Sequence, residues 1–371
     1  MCTPFFQIKK FAHENKIFPF SSNYALYGDL SRRVMQVISH FSPDIEVYSI
    51  DEAFLNLENV HVAQFEEFAL LIKKTIYSEV GIPVSIGIAP TKVLAKVATS
   101  FAKKKETGVF VIDKKMDLKK ILHNFPCKDI WGIGDASALK LKLYQINDAW
   151  AFVNADEKLI QKILSITGKK ILFELKGEKA IDFVIEKEGR QQILSSKSFE
   201  HSVFDKKTIS EAISNHAFRA TEKLRSENKL AQGISVFIQT HPLKDGPQYY
   251  NSELSLLVHP IDHYPQIVDA AVQGFEKIFR SGFEYKKCGV ALINLKEKTE
   301  LQLNLFESSK ESVNDEKSGK NISQILDSIN KKFGTGSITL LACGMDSPWK
   351  HSGNLKSKSY TTNWKELPPV F

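Results

Sequence analysis

The spacing of apolar residues, and the way it changes along the chain, most constrains what this sequence can fold into. Over residues 1–112 it switches repeatedly between helical and strand periods. Leu26, Leu30, Val34 and Ile38 recur every four positions within residues 21–41, which predicts an amphipathic helix with Arg32 and Arg33 off the apolar face. Residues 45–57 then alternate. Ile45, Val47, Ser49 and Asp51 share one face, Glu46, Tyr48 and Ile50 the other, and Ala53, Phe54, Leu55 and Leu57 follow, so two short strands flank the Asp51-Glu52 pair. A helix is predicted over 65–80, a strand over 84–89, a helix on Val93, Leu94, Val97, Ala98 and Phe101, and a strand over 109–112. Such interleaving predicts an α/β or α+β sheet domain.

From residue 113 to about 189 the strand signal disappears, and short helical segments joined by WGIGD at 131–135, Gly168 and Gly177 predict a small all-helical unit. Residues 190–298 read as βαββαβ. Strands are expected at 195–203, 234–240, 253–259 and 288–295. One helix carries Ile209, Ile213, Ala217, Ala220 and Leu224 behind a capping box of Thr208 and Glu211; the other spans 268–279. Residues 307–321 hold one apolar side chain, Val313, and are expected to be a disordered linker before a short C-terminal module. The 371 residues suffice for two to four units at roughly 100–200 each.

Composition excludes several classes. No run approaches the roughly 18 apolar residues of a membrane span. Cys2, Cys127, Cys288 and Cys343 lie far apart without a C-x-x-C pair, so neither a zinc site nor a disulfide framework is indicated. The N-terminus carries no cleavage site of a signal peptide, and a cytoplasmic location is expected. Fifty Lys and Arg against 43 Asp and Glu leave +7, clustered at Lys103, Lys104 and Lys105, at Lys119 and Lys120, and at Lys286 and Lys287. A polyanion partner and solvated basic faces both fit that excess.

Four strings carry chemistry. Adjacent carboxylates point to opposite faces of a regular strand, so Asp51 and Glu52 serve one site only at a turn or bulge. Such a place suits Mg²⁺, which takes few carboxylates and shares its other positions with water and substrate phosphates; a solvated acidic turn would read the same. At 89–92 a strand ends, Thr91 caps a helix, and Lys92 falls in the first turn, where a cation makes sense if an oligophosphate neutralises it; a plain surface lysine is the alternative. Trp131, Gly132, Ile133 and Gly134, followed by Lys140 and Lys142, resemble a helix-hairpin-helix element whose backbone amides hold a DNA phosphate, or form an ordinary glycine turn. Near residue 300, Gln302, Leu303, Leu305 and Phe306 read as an extended docking peptide or as a terminal strand.

Taken in order, SSNYALYGDLSRR at 21–33, IEVYSIDEAFLNL at 45–57, VSIGIAPTKVLAK at 84–96, DIWGIG at 129–134, YKKCGV at 285–290, QLNLF at 302–306 and YTTNWKELP at 360–368 resemble the UmuC-type catalytic subunits of bacterial DNA polymerase V, which are Y-family translesion polymerases. The resemblance covers essentially the whole chain. It implies an α+β multidomain fold: a palm at 1–112, N-terminally incomplete; a helical thumb with a helix-hairpin-helix at 113–189; a βαββαβ little finger at 190–300; a sliding-clamp-binding peptide and linker at 301–321; and a tail at 322–371. It also implies error-prone addition of dNTPs to a primer opposite damaged template in the SOS response. Asp51 and Glu52 would be catalytic metal ligands for Mg²⁺, Lys92 a triphosphate contact, Gly132, Ile133, Gly134 and Lys140 DNA contacts, and Gln302, Leu303, Leu305 and Phe306 clamp contacts. Primer-template DNA, dNTP, a sliding clamp and UmuD-like and RecA-like proteins are the expected partners.

One departure bears on activity. In the family, a strand bearing an aspartate and a steric-gate aromatic, and then a fingers segment, precede the string that here begins MCTPFFQIKK. The first aspartate has no counterpart, through a misplaced start or a truncated gene, so weak or absent polymerase activity is expected. A non-catalytic DNA- and clamp-binding remnant is the alternative. A nucleotide cyclase would account for Asp51-Glu52 but leaves WGIG and QLNLF unexplained.

Overall fold

Local sequence sets where the first elements begin. In the computed structural model, which describes residues 3, 5–113, 116–185, 189–298, 312–334, 336–345 and 355–369, helix α1 (Phe5–Glu14) precedes helix α2 (Tyr24–Ile38). Asn23 starts α2, its side-chain oxygen accepting the Leu26 amide. The apolar repeat of α2 buries Val34 and Val37 against Ile72 and Ile76 of α3 (Phe65–Val80). Strands β1 (Ile45–Val47) and β2 (Ala53–Leu55) form an antiparallel hairpin that pairs Ile45 with Leu55, Glu46 with Phe54 and Val47 with Ala53.

Strands β3 (Ile86–Ile88) and β4 (Val109–Val111) pair in parallel around helix α4 (Lys92–Ala102). At Gly87 a Cβ would stand 2.3 Å from the Thr99 amide nitrogen and 2.5 Å from the Ala95 carbonyl oxygen, so only glycine lets α4 lie on this strand. The sheet expected over residues 1–112 is therefore two separate two-stranded pieces among the described residues. Each strand has only three residues.

Helices α5 (Leu118–Leu122), α6 (Asp135–Lys142), α7 (Ala149–Val153) and α8 (Glu157–Leu175) follow, as the loss of strand signal predicts. Helix α8 is broken at Ser165, where φ is +62°. One core runs across residue 113: Val93, Leu94, Val97 and Ala98 of α4 pack in the same cluster as Leu122, Leu141, Phe152, Ile160 and Leu175.

The chain divides into two compact units, residues 1–187 with 354–371, and residues 188–353. The second is built as the alternation predicts, in the order β5 (Gln192–Val203), α9 (Lys206–Ser226), β6 (Lys229–Thr240), β7 (Tyr250–Ile261), α10 (Tyr264–Ile278) and β8 (Tyr285–Glu297). The strands form an antiparallel sheet in the order β5-β8-β6-β7, and their alternate residues Ile193, Val236, Ile238, Val290 and Leu292 share a core with α9 and α10.

Two expectations are corrected. Helix α9 begins one turn before the expected capping box, because Asp205 accepts both the amide and the hydroxyl of Thr208 at 2.7 Å and ends the preceding strand there; the Thr208 hydrogen bonds hold the Asp205 carboxyl below its usual range. Part of the expected linker is helical. Helix α11 (Ser312–Phe333) is anchored by Ser323, Leu326 and Asn330, buried at helical spacing, and a nucleated helix extends cheaply past its anchor. Residues 299–311, with the clamp-peptide string, lie outside the described residues. Among the described residues, no helix is long and apolar enough to cross a membrane.

Candidate active site and nucleic-acid interface

The β1–β2 hairpin presents the acidic pair. The amides of Tyr48 and Ser49 both donate to the Glu52 carbonyl at 3.0 Å, closing a tight turn. Within it the Ser49 hydroxyl donates to the Asp51 carboxylate at 2.6 Å and accepts the Asp51 amide at 3.3 Å. Asp51 and Glu52 thus stand next to one another at a hairpin tip; Asp51 is exposed and Glu52 partly so. Glu52 is paired with Lys96 of α4.

Beneath the tip the burial is the reverse of what residue polarity suggests. In β1 the charged Glu46 is buried, 8% exposed, while Ile45 and Val47 are only partly buried. Glu46 accepts the Lys92 ammonium at 2.5 Å and the Val184 amide at 2.9 Å. Lys92, itself 9% exposed, also donates to the Asp182 carbonyl at 2.5 Å and lies 5.5 and 5.1 Å from the ring centres of Phe54 and Phe183. Trp131 braces the hairpin edgewise, its ring centre 5.3 Å from Tyr48 and 5.5 Å from Phe54. Lys92 is therefore a buried partner of Glu46, and Lys96, four residues on, is the lysine that reaches the acidic pair.

The N-terminus of α4 is also answered from within the chain. Thr91 caps it, and the Thr91 hydroxyl donates to the Glu174 carbonyl at 2.6 Å. The Glu174 carboxylate, 1% exposed, accepts the Val93 amide at 3.2 Å on one oxygen and the Ala180 and Ile181 amides at 2.8 and 3.0 Å on the other. The anion that this helix end attracts is Glu174.

The WGIG turn lies between a single 3₁₀ turn, Cys127–Asp129, and α6. Gly132 has φ +92°, and a Cβ there would come 2.8 Å from Ile171. The Ile133 side chain is 3% exposed in the core, and its amide donates to the Ile130 carbonyl at 2.9 Å, which closes the turn. Gly132 and Lys140 line one open cavity with Ser137, Lys162 and Thr167.

Spacing alone could not have shown Glu46, Lys96, Glu174 or Phe183. Glu46 had one signal, a carboxylate on the same strand face as Tyr48. Glu174 had none, because its partner Val93 is 81 positions away.

Among the described residues, no three His, Cys, Asp or Glu side chains gather to hold a metal ion. Two adjacent carboxylates, one engaged by Lys96, are too few donors for a two-ion centre. The site as described does not fit one.

The sequence pattern of the impB/mucB/samB family matches residues 1–100, and that of its C-terminal domain matches residues 190–305. The ImpB protein of Salmonella typhimurium is 33% identical over 374 residues, covering 99% of this chain and 87% of that protein. This chain belongs to the impB/mucB/samB family. The UmuC protein of Salmonella typhimurium (strain LT2) is 32% identical over 98% of this chain and 86% of its own length. A solved Y-family DNA polymerase chimera matches with a TM-score of 0.58 at 23% identity, over 73% of this chain and 76% of that one, which shows the fold. Residues 320–370 match a domain pattern of unknown function.

Proposed function

We propose that this chain is an error-tolerant DNA polymerase subunit that works on damaged template in the SOS response, with Asp51 as the carboxylate at the reacting end of the primer. The observation that carries this reading is the exposed Asp51-Glu52 tip, held on a braced hairpin in a chain of this family and fold. The palm corresponds to residues 1–112, the thumb to 113–189 and the little finger to 190–300. Lys140 and the backbone of Gly132, Ile133 and Gly134 face the DNA backbone. Gln302, Leu303, Leu305 and Phe306 dock in a sliding clamp, and UmuD-like and RecA-like proteins complete the assembly. Lys92, the triphosphate contact that the resemblance implies, and Glu46 act from below as positioning groups, and Lys96 offers a charge beside the acidic pair.

Mg²⁺ is the ion such chemistry uses. Because the described donors do not complete a two-ion centre, the chain on its own extends primers weakly, and its main contribution is binding of primer-template and clamp. Primer extension with purified chain, clamp, accessory proteins, Mg²⁺ and four dNTPs tests both statements. The expected result is slow incorporation that Asp51→Asn abolishes. Incorporation that survives Asp51→Asn would reject the role of Asp51, and robust incorporation that this variant abolishes would reject the incomplete-site reading.

A further inference from the structure

Residues 320–370, to which no function is attached, do not form one body. Their two halves belong to different units. In the unit of residues 188–353, Leu326 of α11 and Cys343 join the core. The Asp327 carboxylate accepts the Arg225 guanidinium at 2.7 Å and the fully buried Tyr264 hydroxyl at 2.6 Å, and the Asn330 side chain bonds the Ile338 main chain at both its amide and its carbonyl, at 3.0 Å each. Groups buried this deeply do not leave without unfolding their unit, so this half is an anchor.

The other half is held differently. The Ser21 amide donates to the Leu355 carbonyl at 2.9 Å, and the Asn23 side-chain nitrogen donates to the Ser357 carbonyl at 3.1 Å, the Ser357 hydroxyl at 3.2 Å and the Lys358 carbonyl at 3.4 Å. Thr361, beside Asp29, and Arg32 hold that carboxyl below the usual carboxylate range. The large side chains beyond are not buried: Tyr360 is 40% exposed, Trp364 90% and Leu367 45%. Polar contacts hold this half, without a core of its own.

We propose that residues 355–369 are a releasable clasp that docks on the N-terminal end of α2. Only residues 346–354 separate the clasp from the anchor, so docking is intramolecular. The contacts are few and polar, so few need break to open it. Asn23 is the pivot. It is 5% exposed, its nitrogen holds the tail, and its oxygen caps α2 through the Leu26 amide. The proposal is independent of the polymerase chemistry.

That division of labour within one side chain supplies the test. Asn23→Asp keeps a capping oxygen, and a negative charge suits a helix N-terminus, but it removes the donor and sets a carboxylate against two carbonyl oxygens. Ser21→Pro removes the other donor without touching the cap. Trypsin cleavage of the full chain at Lys356 and Lys358 should be slow in the wild type and about tenfold faster in either variant, with amide exchange in α2 unchanged. A wild-type tail cleaved at the rate of a free peptide, or equal rates in all three proteins, would overturn the clasp.

Discussion

At the scale of single residues, the candidate site depends on a charge pair that is nowhere near the surface. Glu46 and Lys92 are both about nine-tenths buried and bond each other, with one further hydrogen bond each, from the Val184 amide and to the Asp182 carbonyl. Removing one partner of such a pair leaves an uncompensated charge and costs about 3–5 kcal/mol. Lys92→Met should therefore destabilise the chain by that order in urea titrations. Glu46→Gln combined with Lys92→Met should recover much of the loss, because a neutral amide can still bond the Val184 amide. If the single substitution cost less than about 1 kcal/mol, the value of a surface pair, the burial argument would fail.

At the scale of an element, α9 carries a titration into the βαββαβ core. His216 faces β5, its Nδ1 3.0 Å from the Ser195 hydroxyl. Burial pushes its pKa down to about 4, and Arg219 and Lys197 push the same way. An unfolded histidine near 6.5 binds a proton that the folded one refuses, so stability is full above pH 6.5 and falls as pH drops towards 4. At 1.36 kcal/mol per pKa unit the loss reaches about 3 kcal/mol. Unfolding free energies of wild type and His216→Gln, compared from pH 7 to pH 4, should diverge by that amount across the window. Parallel curves would mean that His216 charges freely in the folded state.

For the whole molecule, the net charge of +7 sets an expectation for DNA. If the chain binds primer-template through phosphates, affinity follows counterion release and is independent of sequence. Titrations between about 50 and 200 mM salt should show log affinity falling linearly with log salt, by a factor of about 10³ if six phosphates are neutralised. A flat salt response, or a strong preference among sequences, would count against the electrostatic account.

Local spacing determined the βαββαβ unit, the helical stretch after residue 113 and the turn at Asp51-Glu52, because these follow from the 2 and 3.6 periods and from a turn between neighbouring strands. Which side of a short strand faces inward is a different matter. A three-residue strand buries whichever face meets another element, and α4 presents Lys92 to the β1–β2 hairpin, so Glu46 is buried and Ile45 is not. Likewise α4 attracts an anion by its own sequence. Only the return of the chain at Leu175 selects Glu174 as that anion, and only the meeting of distant segments places Lys96 at the acidic tip and Ser357 at Asn23. Periodicity is a property of neighbours along the chain, whereas the compensation of a buried charge depends on neighbours in space.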